Sequence, residues 1–394
     1  MNQRMYGLGS KRSVIREIFE FGRQRAQEVG AENVFDFSLG NPSVEPPRQV
    51  EEVLVQLIGE SSPTALHGYT SAQGDLSVRR AISDYVQKTH SVSCDPDYIY
   101  MTCGAAASLV ISLSALCEEG DEVITFAPYF TEYKVFAETA GAKLIALPSD
   151  PQTFQIDFSL LEQAIGSRTG AVLINSPNNP SGVVYNEETV KKLADLLRKK
   201  SAQLGRTIYL VTDEPYRELV YGGVKVPYLT AYYKDTLVCY SYSKSLSLPG
   251  ERIGYIFVNP QAEKAKEIYL AVCGAGRAHG YVCAPSLFQK MIARCQGITS
   301  DVSVYERNRD TLVGALRGYG FSCVQPDGAF YLFVRSPEPD ANAFCERAKK
   351  YDLLFVPGDD FGCPGYVRIA YCVSPQMIER SLPAFAKLAA EYSL

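Results

Sequence analysis

The sequence predicts an α/β protein. A large unit is built on a mostly parallel sheet with helices on both faces, making three layers, and a smaller α+β unit accompanies it. Three observations predict this. Between residues 98 and 258, short apolar runs alternate with helix-length segments. Strands that alternate with helices form parallel sheets covered on both faces. Several of those runs end directly in polar residues of distinctive chemistry, at the position where open α/β sheets bind ligands. Beyond about residue 295 the alternation stops and a long polar helix takes over.

The elements follow in order. Residues 11–30 read as an amphipathic helix, with Ile15, Ile18, Phe19 and Ala26 on one face. Phe35 to Leu39 reads as a short strand ending at Gly40-Asn41-Pro42, where backbone can approach a ligand closely. Pro47 to Ile58 reads as a helix that Gly59 stops. Strands are expected at Tyr98–Thr102, Glu122–Phe126, Lys143–Leu147, Ala171–Ile174, Ile208–Val211, Thr236–Tyr240 and Ile253–Val258. Helices are expected at Ala105–Cys117 and Glu187–Lys200. In the smaller unit, the helix Val302–Tyr319 leads to a hairpin-like region, Cys323–Val334, then to helices near Ala341–Tyr351 and Pro375–Ser393. The expected division is an N-terminal arm and small-domain segment at 1–45, a large domain at 46–295 and a small C-terminal domain at 296–394.

Composition narrows the function classes. A chain of 394 residues can bury more than one core. The net charge of −5 gives a nucleic-acid-binding role no electrostatic support. No apolar run reaches the roughly 18–20 residues of a membrane span, and the opening Met1-Asn2-Gln3-Arg4 lacks the apolar core of a secretion signal. The eleven cysteines are odd in number and irregularly spaced, without Cys-x-x-Cys, which argues against a disulfide framework and a zinc site. A reducing cytoplasm is therefore expected. No metal is expected. With three histidines and no Gly-x-Ser-x-Gly turn, a serine hydrolase finds no support.

Three motifs carry the chemistry. Asn175-Ser176-Pro177-Asn178-Asn179-Pro180-Ser181-Gly182 follows a strand, and its prolines and glycine fix a loop that projects amides. Read alone it fits an ordinary turn equally well. Asp213-Glu214-Pro215-Tyr216-Arg217 places an acid at a strand end. Such an acid can keep a pyridinium nitrogen protonated, although an isolated Asp there also caps helices. Ser241-Tyr242-Ser243-Lys244, with Arg252 downstream in Pro249-Gly250-Glu251-Arg252, sets a lysine beside hydroxyls and a guanidinium. A lysine amine becomes nucleophilic when desolvation and a nearby cation lower its pKa, and the hydroxyls and the arginine fork can hold a phosphate. By itself that stretch also reads as a polar strand end.

Taken together, in this order and with Asp213 thirty-one residues before Lys244, the motifs resemble the pyridoxal-phosphate-dependent aminotransferases of class I/II, which have the aspartate aminotransferase type of fold (fold type I). The resemblance covers nearly the whole chain. It implies pyridoxal 5′-phosphate as cofactor, bound by the large domain. Lys244 would form the Schiff base with it and move the substrate proton, Asp213 would pair with the ring nitrogen, and Tyr216 and Asn179 would hold the ring hydroxyl. Ser241, Ser243 and Arg252 would bind the phosphate, with Gly104, Ala105 and Ala106 offering backbone N–H groups where a helix starts. Phe130, in Pro128-Tyr129-Phe130, would stack on the ring in place of an indole, since the chain has no tryptophan. Arg368, inside the apolar strand Tyr366–Ala370, would hold the substrate carboxylate bidentately with help from Gly40 and Asn179. A structural salt bridge is the other reading of Arg368. Tyr69 would reach the phosphate of a neighbouring subunit, which requires a homodimer with shared sites.

The implied reaction moves an amino group between an L-amino acid and a 2-oxo acid, with 2-oxoglutarate as acceptor in a ping-pong sequence. A C–S β-lyase of the same fold is the alternative, and a non-catalytic cofactor-binding regulator a more remote one. Arg277, in the glycine-rich stretch Cys273–Gly280, reads either as a ligand for a distal carboxylate or, by slight preference, as a solvated surface arginine.

Overall fold

A computed structural model of the chain describes residues 1–10 and 14–394. The first three residues of the helix expected at 11–30 lie outside the described residues, and the helix runs Val14–Val29.

The large sheet has seven strands. In spatial order they are Ile99–Thr102, Gly254–Val258, Thr236–Ser241, Tyr209–Asp213, Thr169–Asn175, Glu122–Ala127 and Lys143–Pro148. Gly254–Val258 runs antiparallel to both of its neighbours, and every other pairing is parallel. The expected mostly parallel α/β architecture is therefore present.

The three layers follow from the period of two along a strand. Val172 and Leu210 pack on one face with Val190, Leu193 and Leu197 of the helix Glu187–Leu204. Their strand neighbours Ala171, Leu173 and Val211 pack on the other face with Leu109 and Leu113 of the helix Ala105–Leu116. Each such fully buried aliphatic side chain contributes about 1.5–3 kcal/mol. Helix ends are fixed locally as well. Asn186 accepts from the Thr189 N–H at 2.9 Å to open Glu187–Leu204, and Gly205 closes it with φ +60°.

The C-terminal part carries a three-stranded antiparallel sheet, Val356–Pro357, Tyr366–Ala370 and Tyr331–Arg335. The expected hairpin at 323–334 reduces to one bridge between Cys323 and Val334. The strand at 331–335 takes its register from Tyr366–Ala370 instead. The early strand, Phe35–Asp36, pairs in parallel with Leu353–Leu354.

One local reading is corrected. The stretch Cys273–Gly280, read as a glycine-rich loop, is mostly helical, within Ala265–Ala278. Gly276 explains the misleading composition. A Cβ there would lie 2.2 Å from the hydroxyl oxygen of Tyr100, so glycine lets the helix approach the sheet. Helices at Leu76–His90 and Ser286–Arg294 were not expected. Among the described residues no helix is long and apolar enough to cross a membrane.

Candidate active site

Parallel register brings the motifs together. Asn175 lies opposite Asp213, and Asp213 opposite Cys239, two residues before Ser241. Ser241 and Thr102 both lie opposite Gly254. The residues that follow these strand ends converge on one cavity of about 280 Å³. Gly40, Ala105, Ala106, Phe130, Asn179, Asp213, Tyr216, Ser241, Ser243, Lys244, Arg252 and Arg368 all line it.

Lys244 enters from the short helix Tyr242–Ser245, which Ser241 caps by accepting from the Ser243 N–H at 3.2 Å. Its Nζ donates to the Gly40 carbonyl at 2.8 Å. Burial lowers its ammonium to about 8, with Arg252 and Arg368 pushing the same way and Cys372 opposing. Gly40 has its own reason to be glycine, because a Cβ would lie 1.9 Å from the Tyr331 hydroxyl oxygen.

Asp213 is buried at its strand end. Tyr133 donates to its Oδ2 at 2.6 Å, and Asn175 Nδ2 donates to its carbonyl at 2.8 Å. Its Oδ1 is buried and has no partner among the described residues. Burial pushes the carboxyl up to about 7, even against the Tyr133 hydrogen bond that lowers it.

Opposite charge accumulates at the other end. The helix Ala105–Leu116 starts at the cavity, and its first N–H groups are free to bind an anion. Ser241 Oγ and Ser243 Oγ are 2.8 Å apart, and Arg252 Nη1 donates to Ser243 Oγ at 3.4 Å. Gly104 backs this cradle with φ +86°, and a Cβ there would meet Arg252 Nη2 at 2.6 Å. Arg252 itself has φ +51°, a conformation that costs a non-glycine residue about 1–3 kcal/mol and clusters at ligand sites.

Arg368 is buried beneath aromatic faces, 4.7 Å from the Tyr331 ring centroid and 5.0 Å from that of Phe361. Nη1 donates to Asn179 Oδ1 at 3.2 Å and Nη2 to the Ser38 carbonyl at 2.5 Å, while Nε has no partner among the described residues. Both partners are neutral oxygens, and among the described residues no carboxylate pairs with Arg368.

Three roles were not legible in advance. Tyr133 holds Asp213, Tyr331 meets the Tyr216 hydroxyl at 3.0 Å, and Asn175 Oδ1 accepts from the Asn179 N–H at 2.6 Å. Tyr133 stands three residues after Phe130, a spacing that could have drawn attention to it. Tyr331 had no such signal. Tyr69 is not brought to this cavity and is 94 % exposed. Arg277 ends the helix Ala265–Ala278, exposed and away from the cavity lining.

The cavity thus offers an anion cradle and a lysine of lowered pKa. A flanking phenyl ring and a single free carboxylate oxygen complete it. A flat ring bearing an N–H, an aldehyde and a phosphate fits this donor and acceptor set.

Comparison with known proteins agrees. Residues 32–385 match the family model for aminotransferase class I and II. The chain is 29% identical over 384 residues to a probable aspartate/prephenate aminotransferase of Aquifex aeolicus, covering 92% of this chain and 93% of that one. A solved structure of an amino transferase from Eubacterium rectale superposes with a TM-score of 0.98 at 57% identity, covering 100% of this chain and 99% of that one. An aspartate aminotransferase from Thermotoga maritima does so with a TM-score of 0.87 at 27% identity, covering 98% and 99%. The chain belongs to the class I and II aminotransferases, a pyridoxal-phosphate-dependent family of enzymes, and has their fold.

Proposed function

We propose that this chain binds pyridoxal 5′-phosphate in the cavity and transfers an amino group from an L-amino acid to a 2-oxo acid. The observation that carries the reading is a buried lysine, its ammonium lowered to about 8, sharing one cavity with a buried carboxylate oxygen that has no partner among the described residues. The cofactor, when bound, supplies an aldehyde for amines and a protonated ring that accepts the electron pair left at a deprotonated carbon.

The chain's residues divide the remaining work. Gly104, Ala105, Ala106, Ser241, Ser243 and Arg252 bind the phosphate. Phe130 flanks the ring, and Asn179 and Tyr216 donate to its hydroxyl oxygen. Asp213 Oδ1 accepts the ring N–H, and the cation it faces there holds the carboxylate ionised. Arg368 binds the substrate α-carboxylate, using the Nε that now has no partner, and so turns the Cα–H bond toward Lys244. Lys244 Nζ takes that proton and returns it. An amine that titrates near 8 is poised for both directions at neutral pH.

The acceptor we assign is 2-oxoglutarate, reached in a ping-pong sequence. Relatives named aspartate and aspartate/prephenate aminotransferases put L-aspartate first among donors to test. Tyr69, exposed and outside the lining of this cavity, supports a homodimer in which it completes the neighbouring phosphate site. We retain the division 1–45, 46–295 and 296–394, supported by the pairing of Phe35–Asp36 with Leu353–Leu354. Eleven free thiols support a reducing cytoplasm.

The test is a spectral titration of the cofactor-loaded protein with an amino-acid panel. Conversion of the visible cofactor band to that of the amine form, reversed by 2-oxoglutarate, is the expected result. Pyruvate and ammonia released from cystathionine without that conversion would make the protein a lyase.

A further inference from the structure

We infer that Tyr133 is a positioning residue for the reaction, which acts by occupying one oxygen of Asp213 so that a single oxygen faces the cofactor ring nitrogen. This rests on the function proposed above.

A carboxylate with both oxygens free suits a bidentate donor such as a guanidinium, whereas a ring nitrogen offers one N–H. Tyr133 resolves the mismatch by donating to Oδ2 at 2.6 Å, leaving Oδ1 in the cavity wall without a partner among the described residues. The contact is fully buried, and Tyr133 is 1 % exposed. Burial and the adjacent Asp213 charge push the phenol well above its ordinary pKa, so it stays a donor throughout the working range.

Chain geometry couples this contact to the ring site. The Tyr133 N–H donates to the Phe130 carbonyl at 3.0 Å, and the two rings meet edge to face with centroids 5.7 Å apart. One turn of chain therefore sets both the phenyl ring beside the cofactor and the phenol that orients its carboxylate partner. The donated hydrogen bond also stabilises the ionised carboxylate. It thereby favours the proton on the ring nitrogen over the proton on Asp213.

The experiment loads wild-type protein and Tyr133→Phe with ring-¹⁵N-labelled pyridoxal phosphate and reads the nitrogen chemical shift alongside kcat and KM. In Tyr133→Phe the shift should move toward the unprotonated value. The expected kcat loss is about tenfold, the size of one hydrogen bond to a charged group, with KM for the amino acid within about twofold. In an Asp213→Asn background, adding Tyr133→Phe should leave the shift where Asp213→Asn put it. A wild-type shift in loaded Tyr133→Phe, or an equal additional shift in the Asp213→Asn background, overturns the inference and leaves the aminotransferase reading standing. Wild-type protein that takes up no cofactor overturns that reading instead. Should Tyr133→Phe fail to fold, 3-fluorotyrosine at 133 provides a stronger donor of nearly the same size. It should move the shift toward the protonated value, and no movement refutes the assignment.

Discussion

Asp213 and Glu214 are consecutive buried acids at one strand end, and they are satisfied in opposite ways. Glu214 is closed. Its Oε1 accepts from Thr212 Oγ1 at 2.9 Å and its Oε2 from Arg217 Nε at 2.5 Å. The Arg217 guanidinium then spends its other N–H groups on the Val226 and Pro227 carbonyls and lies 4.7 Å from the Tyr228 ring centroid. Asp213 is open, with one oxygen held by Tyr133 and the other left bare in the cavity wall. Successive residues of a strand face opposite sides, so one acid closes the packing behind the sheet edge while its neighbour serves the cavity. The contrast teaches how to tell a structural acid from a functional one. Burial is common to both, and an unsatisfied atom in the wall of the cavity is what separates them.

Removing the charge from each acid should therefore have opposite consequences. The largest effect is expected from Glu214→Gln. It breaks the hydrogen-bonded ion pair of buried Arg217 and leaves it only the Coulombic attraction of Glu218, and breaking such a pair costs about 3–5 kcal/mol. Thermal unfolding should show it as a large fall in Tm, with the turnover of the molecules that remain folded close to wild type. Next comes Asp213→Asn. It removes an unpaired buried charge, so the cofactor-free protein should melt at the same temperature or higher. The loaded enzyme should lose kcat on the order of 10²- to 10³-fold, as when one preorganised partner of developing charge is removed. If Asp213→Asn destabilises the cofactor-free protein as much as Glu214→Gln does, the distinction drawn above collapses.

A smaller effect is expected at Arg368, which resembles Asp213 in holding a buried group without a partner, Nε. Arg368→Gln should raise KM for the amino acid by about 10- to 100-fold, the loss of a bidentate charged contact. The protein should still take up the cofactor. An unchanged KM would remove the substrate carboxylate from this position.

The contrast also explains what could be read beforehand. Lys244, Asp213, Asn179 and Arg252 were legible because each sits on a strand end or tight turn and because its chemistry demands that residue type. The strands at 122–127, 169–175 and 236–241 were legible because burial on both faces makes them continuous apolar runs. Tyr331 was not legible, since it reaches the site from a strand 115 residues beyond Tyr216 and no local pattern encodes that contact. Tyr133 was one of twenty-six tyrosines. The helix Ala265–Ala278 was hidden because Gly276 answers to a tyrosine 176 residues away, not to its own segment. Sequence reasoning found what each element offers to a ligand and missed what distant elements offer to one another.

The smallest predicted effect follows from the same unsatisfied groups. In the cofactor-free protein Asp213 titrates near 7, above its ordinary 3.8. Its stabilising contribution is complete below about 4 and is lost as pH rises through about 7. Lys244 titrates near 8, below its ordinary 10.5. Its contribution is complete above about 10.5 and is lost as pH falls through about 8. Between about 7 and 8 both groups are charged and buried, so the cofactor-free protein should be least helped by them at working pH. Glu218, which burial also raises to about 7, adds to the acid-side limb, so the Asp213 part must be taken as a difference between two proteins. Subtracting the Tm-against-pH curve of Asp213→Asn from that of wild type should leave a fall of roughly a few degrees between about pH 4 and 7. Bound pyridoxal phosphate should flatten that difference, because a ring N–H facing Oδ1 compensates the buried carboxylate. A difference curve that is flat without cofactor would mean Asp213 is not held unpaired. One that persists with cofactor would mean the ring nitrogen is not its partner.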